Sequence, residues 1–335
     1  MSEFTSDIIK SEHGGGGEMM ETMIKSLYVN GFSLNKIKGG LGLPDMDDSG
    51  SIPFDEGHIV FSTDSHTVTP LFFPGGDIGR LSISGTINDV SVMGAKPLAL
   101  SSGVILPEGF PTEQFRKVIK SMDETLKEAG VPLITGDTKV AGNDLFINTS
   151  GVGYTKNLLS DKDLKEGDLI IVSGTVGDHG AAMLSVREDI PFLSNIKSDV
   201  APLNRMIEKI LPFKIHSMKD PTRGGIANAL NEFSRKSGVR IEIKEEKVPV
   251  RDEVSSICDI LGLNYMEIAC EGKVLIAVHQ EDAEEVLGIL RRDRLGKNAT
   301  IIGEVKKGEK VILETVIGGR RILEPPVADP VPRVC

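Results

Sequence analysis

The last twelve residues, from Glu324 to Cys335, read EPPVADPVPRVC, with prolines at 325, 326, 330 and 332. Proline fixes its own φ and has no backbone N–H to donate, so this stretch can be neither a helix nor a central strand. It favours an extended, polyproline-like path at ~3 Å per residue, enough to reach roughly 30 Å. A stiff arm with a thiol at its tip has the layout of a swinging carrier. A floppy tail with an incidental cysteine would have the same composition.

The whole chain has 335 residues, enough for one large or two medium domains with sizeable cores. Hydrophobic residues make up 39%, and no apolar run approaches the ~20 residues of a membrane span. The N-terminus carries Ser, Glu, Thr and Asp, without the basic start or apolar core of a signal peptide. A soluble, cytoplasmic protein with no membrane partner is expected. A net charge of -11 argues against a nucleic-acid partner, because duplex binding needs clustered Lys and Arg. Three cysteines without a CxxC pair suit a reducing compartment and resemble neither a disulfide framework nor a zinc site. Cys258 shares a helical stripe with Val254, Ile257 and Leu261 and reads as core. Cys270 reads as the buried start of a strand.

Along the chain, HisGlyGlyGlyGly at 13–17 is too permissive to hold a shape alone. Met19–Tyr28 reads as a helix and the alternating, β-branched run His58–Val68 as a strand. Ile83, Ile87 and Val90 fall at helical spacing, with Gly94 and Pro97 as the stop. Thr112 serves as an N-cap for a helix whose face is Phe115, Val118, Ile119, Met122 and Leu126, ended by Gly130. Leu133–Thr135 and Leu145–Gly153 read as strands. The polar stretch Thr155–Asp168 is the expected domain boundary, which divides the chain into 1–155, 156–323 and a tail, 324–335. Beyond it come a buried strand Leu169–Ser173, a turn with Gly174, Gly177 and Gly180, and a helix. Further helices fit 200–211, 224–237, 251–261 and 281–293, and strands fit 239–243, 273–279, 299–306 and 310–316. Helices and strands do not alternate strictly, so the fold class is α+β with antiparallel-rich sheets.

Acids recur in small, Gly-containing loops: AspAspSerGly (47–50), SerThrAspSer (62–65), ThrIleAsnAspVal (86–90), GlyAspThrLys (136–139) and LysAspProThrArgGlyGly (219–225). Singly, a loop Asp is a cap or turn former. Together, such acids would repel unless cations intervened, and Mg²⁺ takes one or two carboxylates beside phosphates and water. Many acids plus a Gly-rich loop therefore suggest Mg²⁺ bridging the phosphates of a nucleotide. With no Walker A sequence, the chain is not a P-loop enzyme.

In this order, and with GlyThrIleAsnAspVal…MetGlyAlaLysPro, GlyAspThrLysVal and GlyAspHisGly, the motifs resemble the aminoimidazole-ribonucleotide-synthetase-like (PurM-like) superfamily over nearly the whole chain. The ending ProArgValCys, with AlaCysGluGlyLys upstream, narrows the resemblance to the HypE family of hydrogenase maturation factors. Val334 stands where that family often has Ile.

The resemblance implies two α/β domains, with N-terminal strands shared in a barrel across a homodimer. It puts ATP under the loop Gly14, Gly15, Gly16 and Gly17, with Asp64, Asn88, Asp89, Asp137 and Thr138 as cofactor-binding residues. Mg²⁺ falls to Asp48, Asp64, Asp89, Asp137 and Asp220, with the choice between Asp47 and Asp48 open. The implied reaction is ATP-dependent dehydration of an S-carbamoyl group on Cys335 to a thiocyanate, supplying cyanide ligands to a NiFe-hydrogenase. The implied partners are the carbamoyltransferase HypF and, as cyanide acceptor, the HypC–HypD complex. Glu271 matches the family's base, although a strand-end acid in a salt bridge would look the same. Lys139 matches a residue that orients or relays protons, although a phosphate-binding or surface lysine remains open. His13 and His179 are phosphate contacts or plain turn residues. Another synthetase or kinase of the superfamily, or a non-catalytic nucleotide-binding carrier, are the alternatives; neither enzyme alternative needs a tail ending in Cys.

Overall fold

The structure, a computed structural model, describes residues 4, 6, 8–10, 13, 17–188, 196–331 and 335. Gly14, Gly15 and Gly16 of the expected ATP loop lie outside the described residues.

The first half is built around one five-stranded sheet. Its strands are β1 (Gly50–Phe54), β2 (Gly57–His66), β5 (Lys96–Leu106), β6 (Leu133–Val140) and β7 (Phe146–Thr155), in the order β1-β2-β7-β5-β6. Only β5 and β6 run parallel. A small hairpin, β3 (Phe72–Phe73) with β4 (Gly76–Asp77), leads into α2 (Ile78–Val92). Helix α2 is buried nearly all round, as an almost uniformly apolar or small-residue sequence requires. It lies on β7 because Gly151 and Gly153 leave room: a Cβ at Gly153 would come within 2.4 Å of Val90 Cγ1. Beside it packs α3 (Thr112–Ala129), whose Thr112 begins the helix; Pro111 holds the cap position, without a side-chain cap. The other face of the sheet is open, with Phe54, Phe61, Leu98, Ile105 and Phe146 exposed.

The second half carries a seven-stranded sheet in the order β14-β13-β10-β12-β8-β11-β9. Its strands are β8 (Leu169–Val172), β9 (Ile215–Lys219), β10 (Arg240–Lys244), β11 (Leu275–Val278), β12 (Thr300–Lys306), β13 (Val311–Glu314) and β14 (Arg320–Ile322). All neighbours pair antiparallel except β10 with β13. The accompanying helices are α4 (Asp178–Arg187), α5 (Asn204–Glu208), α6 (Gly225–Ser237), α7 (Asp252–Leu261) and α8 (Ala283–Arg292). Antiparallel pairing dominates both sheets, as the irregular order of elements predicts.

Two expectations need correction. Helix 200–211 contracts to Asn204–Glu208, because Pro202 and Pro212 bracket it. Cys270 is buried as expected but does not open a strand; it sits in a loop, where its N–H reaches Pro221 O at 3.1 Å and Gly177 N–H reaches its Sγ at 3.2 Å. Strand β11 starts only at Leu275. Within the segment 156–168, Asp161 and Leu164 are buried. Cys258 is core, in contact with the cluster that holds Val254 and Ile257, and burial pushes its thiol up to about 12.

Near the N-terminus lies α1 (Gly17–Met23), extended by a π-helical turn to Val29. This matches the expected helix over Met19–Tyr28.

Candidate active site

Four loop or element-end acids converge. Asp89, near the C-terminal end of α2, accepts a hydrogen bond from Ser62 Oγ of β2 at 2.7 Å. Asp64, two residues along β2, pairs with the buried His66 Nε2 at 3.0 Å. Asp48 comes from the loop before β1 and Asp220 from the loop after β9. Burial, then the charges of Asp220, Asp64 and Asp48, raise Asp89 well above the usual carboxylate range. Asp220 is pushed up to about 7 by burial and by Asp48. Burial likewise lifts Asp48, although Lys219 opposes it. Only Asp64 moves down: burial would raise it, but the interactions with His66, Arg223 and the Ser65 N–H together outweigh that effect.

Asp47 and Asp48 differ in how their oxygens are engaged. Asp47 is occupied, accepting from Ser160 Oγ at 2.6 Å, Asp161 N at 3.3 Å and Asp48 N at 3.1 Å. Asp48 contacts Lys219 Nζ through Oδ1, while its buried Oδ2 has no protein partner. Lys219 is itself buried and also meets Glu232 at 3.1 Å and Asp161 at 3.7 Å. Asp47, Asp48, Lys219, Asp220 and Glu232, but not Asp64 or Asp89, line a cavity of about 300 Å³ roofed by Gly17, Met20 and Ile24 and floored by the 219–225 loop and α6.

The tail folds back onto this site. Leu323 N–H bonds to Val311 O at 2.9 Å, and Asn231 Nδ2 donates to Leu323 O at 2.8 Å. Pro326 and Val327 then run beneath Gly17, whose φ of +71° suits glycine. A Cβ there would meet Pro326 O at 2.5 Å. Val331 is buried in the main apolar cluster, and Cys335 packs against that cluster's edge. Burial raises the Cys335 thiol well above its ordinary value, with Arg223 opposing and Glu271, Asp64 and Asp329 reinforcing. The terminal sulfur therefore lies in the field of the acid cluster and of Arg223. Arg223 answers to Cys335 first, and also to Asp64, Glu271 and Asp329.

Glu271 is 3% exposed, and its Oε1 has no hydrogen-bond partner. Burial, then Asp220, Asp64 and Asp199, push its carboxyl well above the usual range.

Other expected residues are elsewhere. Asp137, Thr138 and Lys139 lie on the fully exposed edge strand β6, where Asp137 and Lys139 pair at 3.3 Å. Asn88 is buried and fully used: its Nδ2 donates to Ala201 O at 3.1 Å and its Oδ1 accepts from Leu203 N at 2.8 Å. It joins α2 to the 201–203 segment. Asn88→Ala should thus lower stability by about 2 kcal/mol in thermal unfolding, through two orphaned backbone groups; nucleotide affinity should change little. His13 packs edge-on against Phe4 and accepts from Lys10 N at 3.0 Å. His179 is buried against Phe73, with Nδ1 2.8 Å from Ser198 Oγ. Neither ring lines the cavity under Gly17.

Lys219, Arg223 and Glu232 were not among the expected site residues. Two of them stood inside the motif quoted for Asp220, where a cation reads as a surface charge.

Two family descriptions cover most of the chain: AIR synthase related protein, N-terminal domain, over 46–155, and its C-terminal domain over 165–316. A putative hydrogenase expression/formation protein of Methanocaldococcus jannaschii is 54% identical, covering 96% of this chain and 98% of that one. The carbamoyl dehydratase HypE of Escherichia coli is 40% identical, covering 98% and 99%. The chain belongs to the HypE family of carbamoyl dehydratases. A solved HypE–HypF complex superposes at a TM-score of 0.85 with 44% identity, covering 91% of this chain and 99% of that one. HypE in complex with ATP gives 0.80 with 38% identity, covering 97% and 99%. The fold is thus the two-domain AIR-synthase-related fold, and the role is in hydrogenase maturation. No helix among the described residues is long and apolar enough to cross a membrane.

Proposed function

We propose that the chain uses ATP to dehydrate a carbamoyl group carried on Cys335, leaving a thiocyanate that supplies cyanide to the iron of a NiFe-hydrogenase. The observation that carries this reading is the docked tail, whose Cys335 packs against the main apolar cluster within electrostatic reach of Arg223, Glu271 and Asp64. In this reading the domains are 1–155 and 156–323, with 324–335 as the carrier arm, and the protein works in the cytoplasm.

The chemical problem is the carbamoyl oxygen, a poor leaving group. Attack of that oxygen on the γ-phosphorus of ATP, with one N–H proton released to water, gives an S-bound imidate phosphate and ADP. Loss of the second N–H proton to Glu271 then lets the C–O bond break. Phosphate departs and the C≡N bond closes on sulfur. The high proton affinity of Glu271 suits this step. Arg223 faces the site where phosphate gathers charge.

The cavity under Gly17 would hold the nucleotide, with Gly14, Gly15, Gly16 and Gly17 over its phosphates. Among the described residues no trio of His, Cys, Asp or Glu forms a ready-made metal cage. The crowded acids and the orphaned Asp48 Oδ2 nonetheless fit Mg²⁺, which completes its octahedron with phosphate oxygens and water. Asp48, Asp64, Asp89 and Asp220 would hold it, and it would offset charge during phosphoryl transfer.

Asp137, Thr138 and Lys139 fit this scheme through a homodimer formed on the open face and edge of the first sheet, which would present β6 to a second copy. Light scattering at micromolar concentration should then give the mass of two chains, and a single-chain mass would remove the dimer. HypF is the proposed carbamoyl donor and HypC–HypD the acceptor. Incubation with HypF, a carbamoyl donor and ATP, followed by intact-mass measurement, tests the reading: a nitrile adduct supports it, whereas ATP turnover without any adduct points to another enzyme of the superfamily.

A further inference from the structure

Lys273, two residues beyond Glu271, lines a second cavity, of about 480 Å³, that the dehydration scheme does not use. Arg80, Lys197, Arg251, Arg294 and Lys297 share its wall, with Asp199 as the sole lining acid among the described residues. On a chain of net charge -11 this is a concentrated patch of the opposite sign. Some of that charge is met: Arg80 and Arg294 share Glu128 at 2.8 and 2.9 Å, Arg251 meets Asp178 at 3.1 Å, and Lys273 meets Asp199 at 2.9 Å. Six cations therefore face three carboxylates. Among the described residues, Lys197 and Lys297 have no ion-pair partner.

Lys273 is 7% exposed, and its stem crosses Gly174 so closely that a Cβ there would come within 2.8 Å of Lys273 Cε. An ammonium held that deep, with exposed cations at the rim, suits a compact anion better than a protein surface. Guanidinium forks match phosphate oxygens in pairs, and lysines add point charge.

We propose that this cavity is a binding site for a small, multiply charged phosphate compound, separate from the nucleotide cavity under Gly17. It adjoins the Glu271 loop. Asp199 accepts from Lys273 Nζ at 2.9 Å and from Glu271 N at 3.0 Å. Its backbone lies so close to Gly272 that a Cβ there would fall 1.9 Å from Asp199 O. An anion that draws on Lys273 thus pulls on the residue that supports Glu271.

The test is calorimetric titration of the full chain with inorganic pyrophosphate, without divalent cations, beside the triple variant Lys197→Ala/Arg294→Ala/Lys297→Ala. These three side chains are exposed, so the fold should survive, and an unchanged affinity for a non-hydrolysable ATP analogue checks that it does. Saturable pyrophosphate binding is expected in the parent chain, weakened about tenfold or more in the variant by loss of charge-assisted contacts, and retained when the analogue is saturating. Equal binding by parent and variant overturns the proposal. So does displacement by the analogue, no saturable binding, or preference for an acidic peptide over pyrophosphate.

Discussion

Cys335→Ala should abolish nitrile formation altogether while leaving ATP affinity and thermal stability close to those of the parent chain. The sulfur is the atom on which the carbamoyl group is carried, so no residual rate is expected from other side chains. Cys258 and Cys270 are both buried, with thiols held protonated by burial, and cannot stand in. Stability should hold because the tail is anchored upstream of the cysteine, at Leu323, Pro326 and Val331, and not by the thiol. Intact mass with peptide mapping decides the matter; a nitrile found on any residue of the variant would sink the carrier assignment.

Glu271→Gln should leave carbamoylation and ATP binding in place and slow dehydration by about 10²–10⁴-fold, the range expected for loss of a general base. Glutamine keeps the shape and the hydrogen-bonding capacity but cannot take a proton at neutral pH. A merely structural Glu271 would behave differently. Glutamine would then stand in for the protonated carboxyl that burial and the neighbouring acids favour, and the rate would stay near normal. Lys139→Ala belongs in the same experiment. Lys139 and Asp137 are about 70% exposed, so breaking their pair should cost little stability. A phosphate-binding Lys139 would weaken ATP affinity first; a proton-relaying one would lower the dehydration rate at unchanged affinity.

Much of this arrangement could be read from the sequence, for identifiable physical reasons. Amphipathic helices with glycine stops, such as α3 with Gly130 and α7 with Gly262, have strong local signals. The α+β class followed from the irregular order of strands and helices. Strand β5 escaped notice because it opens on LysPro and contains SerSerGly; pairing between β7 and β6 makes it a strand, not its own propensity. Strand β9, IHSMK, is short and gains its place as a partner of β11. At the site, the acids stood out because each sat in a small Gly-containing motif. Their mutual approach did not, since it depends on contacts separated by more than a hundred residues, such as Lys219 with Asp48 and Asp161 with Asp47. The same non-local packing decides that Asn88 is a clamp between halves of the molecule, which its position beside Asp89 gave no means to foresee. The tail shows both sides of the problem. Its prolines forecast an extended arm, but only Gly17, Asn231 and Val311, scattered along the chain, determine that the arm lies inward.

The central claim is that ATP converts the carbamoyl oxygen on Cys335 into a leaving phosphate. It is tested most directly by loading the full chain with a carbamoyl group labelled with heavy oxygen and following a single turnover with ATP by mass spectrometry. The account predicts that the label leaves in inorganic phosphate, matched in amount by ADP and by a nitrile on Cys335. Unlabelled phosphate, with the heavy oxygen retained on the chain or released as water, would contradict it.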